Sequence, residues 1–165
     1  MYVSLRNSGN NKGFSLIELM IVLAILSLIA ALAVPVYLGF RDRARIRTFV
    51  ADGKIAIPEI YSWMQSSNSY KRNMREVDTN CDGTIDSKDM TNEELSGAGV
   101  AKTFIECRNN VFKDRSPWTA QLPLWTINPE VPPGQITLIE EPRRIRLIGK
   151  NIGGEVVFQD DVKLF

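Results

Sequence analysis

Residues Phe14 to Val34 read FSLIELMIVLAILSLIAALAV, an apolar run broken by one formal charge, Glu18. At about 1.5 Å per residue this is roughly 30 Å of helix, the thickness of a bilayer's hydrocarbon core. The 44% hydrophobic content of the 165 residues is therefore uneven, and less of it is left for a core than the figure suggests. A secretory signal peptide would have a shorter apolar core, about 7–15 residues, before its cleavage site. A plain tether has no reason to keep a carboxylate in lipid, where it costs about 2.5–3.5 kcal/mol or more. Glu18 needs a partner and a task.

Composition removes several functions. Twenty basic and 19 acidic side chains leave a net charge of +1, which gives no electrostatic case for nucleic acid. With no histidine there is no His triad, His general base or His metal ligand. Two cysteines cannot build a four-thiolate zinc site. What remains is an anchored small domain, not an enzyme.

The string around Glu18 is Lys12-Gly13-Phe14-Ser15-Leu16-Ile17-Glu18-Leu19-Met20, preceded by a polar stretch whose charges, Arg6 and Lys12, are basic. It resembles the cleavage and methylation signal of type IV prepilins and of the pseudopilins of type II secretion systems. In that family a short basic leader ends in glycine, phenylalanine follows, glutamate is the fifth mature residue and a proline lies near mature position 22, where Pro35 stands. The resemblance implies cleavage after Gly13 by a prepilin peptidase, N-methylation of Phe14, and pairing of Glu18 with the Phe14 ammonium of a neighbouring subunit. Opposite charges in lipid are tolerable only together, so such a pair would supply register. Removing Arg6 and Lys12 with the leader takes the formal charge from +1 to −1. Arg41, Arg43, Arg45 and Arg47 after the span compete with the leader for the cytoplasm on charge alone. The motif's spacing is more specific than a charge count, and it sets the orientation expected here. These arginines are otherwise read as a solvated helix face or a subunit contact, with a DNA-binding stripe as the alternative.

The expected organisation is a leader at 1–13, a membrane and filament-core helix at 14–34, an amphipathic continuation at 35–65 and a globular head at 66–165. Pro35 predicts a bend or melted turn. Beyond it Ile46, Phe49, Val50, Gly53, Ile57 and Ile60 form a helical stripe that should face the head. Gln135–Glu140 and Arg143–Ile148 alternate polar and apolar residues, as half-buried strands do, and Glu155–Phe165 supplies one or two more strands. The expected fold class is α+β and pilin-like, with a long N-terminal helix on a C-terminal antiparallel sheet. Between Asn109 and Gly134, five prolines with Trp118 and Trp125 predict an ordered loop in which the tryptophans are packing anchors.

The segment Asp78-Thr-Asn80-Cys-Asp82-Gly83-Thr84-Ile85-Asp86-Ser-Lys-Asp89 reads as a twelve-residue calcium loop. Asp78, Asn80, Asp82, Asp86 and Asp89 are the oxygen donors, Thr84 contributes its carbonyl, and Gly83 permits the sharp turn that wraps about 6–8 oxygens around Ca2+. The string resembles an EF-hand loop, closest to the dockerin variant that ends in aspartate. Dockerins carry two such loops and only one is found here, so the resemblance extends to the ion and not to cohesin binding. Thr91-Asn92-Glu93-Glu94 resembles a capping box opening a new helix. Glu93-Glu94, Glu140-Glu141 and Asp160-Asp161 read as solvated faces rather than catalytic pairs. An exported head meets an oxidising compartment, which favours a Cys81–Cys107 disulfide over two separate thiols.

The function these features imply is a structural filament subunit of the type IV pilus kind, with a calcium-stabilised head. The alternatives are a pseudopilin of type II secretion and a minor tip pilin that binds DNA or a surface. Implied partners are further copies of the chain, the prepilin peptidase, a pilus or secretion assembly machinery, and lipid before assembly. Nucleic acid is not an expected partner of the main reading. The implied location is the inner membrane with the head in the periplasm, followed by an extracellular pilus or a periplasmic pseudopilus.

Overall fold

Helix α1 (Leu16–Ser67) opens a computed structural model that describes residues 13–69 and 76–164. The chain falls into two units, Met1–Arg41 and Asp42–Phe165. In the first, the apolar side chains of α1 from Leu16 to Phe40 are exposed, and α1 is long and apolar enough to cross a membrane by length and composition. The melted turn offered as one outcome at Pro35 is absent: helix is continuous through it and through Pro58. Each proline withdraws one amide donor, while the flanking residues keep their own i→i−4 bonds and are mostly good helix formers.

In the second unit α1 buries Phe49, Gly53, Ala56, Ile60, Trp63 and Met64, an i, i+4, i+7, i+11, i+14, i+15 stripe close to the one expected. Ile46, Val50 and Ile57 are half-buried at its margin. The stripe packs on a four-stranded sheet of β3 (Trp125–Thr126), β4 (Ile136–Glu141), β5 (Arg144–Lys150) and β6 (Val156–Lys163), in that spatial order. β4, β5 and β6 form an antiparallel meander, and β3 joins β4 in parallel. β5 alternates strictly, with Ile145, Leu147 and Gly149 buried and Arg144, Arg146 and Ile148 half-exposed. The architecture is the expected α+β one, a long helix on an antiparallel-rich sheet.

Two aromatic-to-glycine sockets set the helix on the sheet. A Cβ on Gly53 would lie 2.6 Å from the Phe158 ring, and one on Gly149 would lie 2.5 Å from the Phe49 ring. Each glycine is there for space. Helices α2 (Asn92–Ala98) and α3 (Val100–Asn110) complete the core. Trp63, Phe104 and Trp125 meet edge to face at centroid separations of 5.6 and 5.7 Å. Trp125 is thus the packing anchor expected, and Trp118 stacks edge-on to Phe49 at 5.2 Å. The proline-rich stretch is more regular than a loop, holding an antiparallel pair, β1 (Arg115–Ser116) and β2 (Thr119–Pro123), as well as β3.

The three acidic doublets are mostly exposed, as expected, yet a member of each makes a specific contact. Thr91 and Glu94 form a full capping box at the start of α2. Glu140 accepts the Val100 and Ala101 amides at 3.2 and 3.1 Å, so a strand carboxylate caps α3 and complements its dipole. Glu141 pairs with Arg144 and Arg146, and both arginines also reach Asp161.

Candidate functional site

Two sets of singled-out residues lie far apart in sequence. At the N-terminal one, Gly13 has open space around its Cα among the described residues, and Phe14 is 84% exposed. Arg6 and Lys12 of the expected leader lie outside the described residues. Glu18 lies in the first turn of α1, where its Oε2 accepts the Ser15 amide at 2.9 Å. An amide of the first turn has no carbonyl partner within the helix, and a carboxylate there satisfies it and faces the positive dipole end.

The acidic loop follows α1 and precedes α2. Gly83 takes φ +91°, which a side chain would strain, and Cys81 takes φ +57°. The turn is held by its own carboxylates. Asp78 accepts the amides of Asp82 and Gly83 at 3.2 and 2.7 Å, and Asn80 Oδ1 accepts the same Asp82 amide at 2.8 Å. Asp82 accepts the Thr84 hydroxyl and amide at 2.7 and 3.0 Å, and these bonds, the hydroxyl's foremost, hold its carboxyl below the ordinary range. Thr84 therefore engages through its hydroxyl and amide as well as offering a carbonyl.

Asp89 is the buried member at 3% exposure. Its Oδ1 accepts the Thr79 amide and hydroxyl and the Asn80 amide, and its Oδ2 accepts the Asp86 amide at 2.8 Å. Burial alone would raise its pKa, but the amides of Asp86, Thr79 and Asn80 outweigh burial and hold the carboxyl low. Asp89 thus clasps the two ends of the loop, a role its position in the sequence did not announce. The Lys88 ammonium stands 3.8 Å from Asp82 and 3.7 Å from Asp86.

Cys81 and Cys107 form a disulfide with Cα atoms 5.8 Å apart, tying the loop to α3. The donor types, their order and the Gly83 turn fit a hard, oxygen-seeking cation. Asp78 and Asn80 already converge on one amide. As the side chains stand, no group of three or more His, Cys, Asp or Glu among the described residues is gathered as metal ligands. Asp82 and Asp86 face Lys88 instead.

Beneath α1, Arg108 bridges Asp114 at 2.7 Å and Glu59 at 3.3 Å, and the Trp125 indole donates to Asp114. Burial, chiefly, pushes up the pKa of Glu59 and of nearby Asp52, with Asp114 adding to both and Arg108 opposing. This cluster was not singled out from the sequence. Its members are dozens of residues apart, and no local motif marks them.

Comparison with known proteins bears on the first site. Residues 8–34 match the family described as the prokaryotic N-terminal methylation motif. The chain is 42% identical over 65 residues to the type IV major pilin protein PilE1 of Neisseria gonorrhoeae, a match covering 35% of this chain and 39% of that protein. It is 47% identical over 53 residues to a fimbrial protein of Neisseria meningitidis serogroup B, covering 30% and 31%. To the type IV major pilin protein PilA of Myxococcus xanthus it is 36% identical over 66 residues, covering 40% and 28%. The chain thus spans less than two fifths of the length of the curated relatives it matches. No solved structure matches it. The likeness to type IV pilins is thus partial, a matched methylation motif together with stretches of 53–66 residues.

Proposed function

We propose that the chain is a structural, non-enzymatic subunit of a type IV pilus-like filament, drawn from the inner membrane through its N-terminal helix. The observation that carries this is one ionisable residue, Glu18, at the head of the otherwise apolar, exposed stretch of α1 from Leu16 to Phe40, within a match to the methylation motif. A prepilin peptidase cuts after Gly13, and the freed Phe14 carries the N-terminal amine. In the filament Glu18 exchanges its own Ser15 amide for the Phe14 amine of the next copy, a stronger, charge-assisted bond. Copies related this way make head-to-tail contacts that do not close, which propagates a fibre.

The test is assembly. Glu18→Ala leaves the span more apolar, so insertion and leader removal survive while sheared filaments fall below a tenth of the wild-type yield. Gly13→Val leaves a precursor about 13 residues heavier. Normal filaments from Glu18→Ala would refute the pairing.

The same proposal includes a calcium ion in the head, held by Asp78, Asn80, Asp82, the Thr84 carbonyl, Asp86 and Asp89. The ion would supply the charge that lets these carboxylates stay close, taking Asp82 and Asp86 from Lys88. The Gly83 turn and the shared aim of Asp78 and Asn80 favour this reading.

A further inference from the structure

Strand β6 is the edge of the four-stranded sheet. Its α1-facing positions are Phe158, Asp160 and Val162; the first and last are buried, but Asp160 is exposed. The reason is a groove of about 1030 Å3 between β6 and α1, lined by Ile57, Pro58, Tyr61 and Val162 with Asp160 at its lip. Asp160 accepts the Asp161 amide at 2.8 Å, and among the described residues no cation pairs with it. Asp161, its neighbour on the other face, is paired with Arg144, Arg146 and Lys163. Asp161 and Lys163 also line the groove, 3.9 Å from each other, which leaves Asp160 as its acid without a cation partner among the described residues and suits the groove to an apolar ligand carrying a cation.

The chain carries that complement on the solvent side of α1. Arg47 is exposed and has no ion pair among the described residues, and Ala51 and Ile55 follow it at i+4 and i+8 on the same face. Ile55 is 65% exposed although it sits in the amphipathic part of the helix. Cation, small residue and branched apolar residue form one stripe, suited to a helix laid into a groove. We propose that the groove of one copy receives the Arg47–Ala51–Ile55 stripe of a second copy, with Ile55 entering beside Pro58 and Tyr61 and Arg47 meeting Asp160. The contact rests on the filament reading and adds a register between heads to the pairing of Glu18. It is heterologous, as a propagating assembly requires. The competing role for Asp160 is to guard a bare strand edge against pairing, since inward charges do that too.

Charge exchange in cells making the full-length chain decides between them. Asp160→Lys and Arg47→Glu should each cut the yield of sheared filaments at least tenfold, and the double variant should recover to within about threefold of wild type. Wild-type yields from both single variants, or a double variant no better than its worse parent, would overturn the contact. Because a single variant could fail by misfolding, filaments are also made with Arg47→Cys and Asp160→Cys together and treated with a short bismaleimide. A ladder of cross-linked copies is expected, and its absence in filaments that form would overturn the contact as well. A wild-type chain that makes no filament removes the filament reading and this contact together, whereas filaments that tolerate both reversals remove the contact alone.

Discussion

Replacing Gly53 by alanine should destabilise the head in the wild-type chain and stabilise it once Phe158 is truncated. The added Cβ lies 2.6 Å from Phe158 Cε1 and 2.8 Å from its Cδ1 and Cζ, well inside van der Waals contact. Overpacking of this kind costs about 1–3 kcal/mol. Alanine in a helix interior returns about 1 kcal/mol over glycine, so the net loss is roughly 1 kcal/mol. Phe158→Ala alone empties a site that is 5% exposed and should cost about 3–5 kcal/mol. In that background the clash is gone, and Gly53→Ala keeps only its gain of about 1 kcal/mol. The sign of one substitution thus reverses, and the coupling between the two is about 1–3 kcal/mol, the size of the clash itself. Urea unfolding of the full chain in mild detergent measures this, with buried Trp63 and Trp125 as fluorescent reporters. Equal effects of Gly53→Ala in both backgrounds would show that Phe158 does not occupy the glycine's space.

Calcium should raise the melting temperature of the full chain progressively, by the equivalent of about 2.7 kcal/mol at a hundred times the dissociation constant. Asp82→Ala should remove most of that effect and magnesium should reproduce little of it; a melting curve blind to calcium refutes the ion. Cys107→Ser should cost about 3–4 kcal/mol, because it opens a loop closed across a sequence separation of 26. An unchanged urea midpoint would refute that, and in the calcium experiment chelator should loosen residues 78–89 more in this variant than in wild type. Asp52 has a raised pKa in the folded head, so its contribution is fully present below the unfolded value of about 3.9 and is lost as pH rises through the folded one. Asp52→Asn should therefore gain on wild type as pH rises from about 4 to 7 in urea titrations, and a difference that is flat with pH would contradict the burial argument.

Features written in neighbouring residues were legible beforehand. The apolar run to Val34, the Thr91–Glu94 box, the alternation of Arg144–Ile148 and the glycine of the acidic turn each declare themselves within a dozen positions. No turn melts at Pro35, because a helix of 52 residues tolerates the loss of one amide donor. Glu140 is exposed as read, but its capping of α3 was not legible because its partners, the Val100 and Ala101 amides, lie some forty positions away. Asp89 read as a ligand alone, and its burial with bonds to the Thr79, Asn80 and Asp86 amides adds the part of a clasp, which the order of donor types along the loop does not show. The strands of the proline-rich segment are two to five residues long, too short for any periodicity to register. The aromatic sockets escaped as well, since Gly53 and Gly149 give no local sign of which ring each admits.

Those sockets also decide how the head answers force. Phe158 projects from the sheet into the helix at Gly53, while Phe49 projects from the helix into the sheet at Gly149. A pull along this part of α1 cannot unzip the two layers one contact at a time. It must drag both rings across backbone at once, so the joint is loaded in shear, and the load is shared by two detents cut in opposite directions.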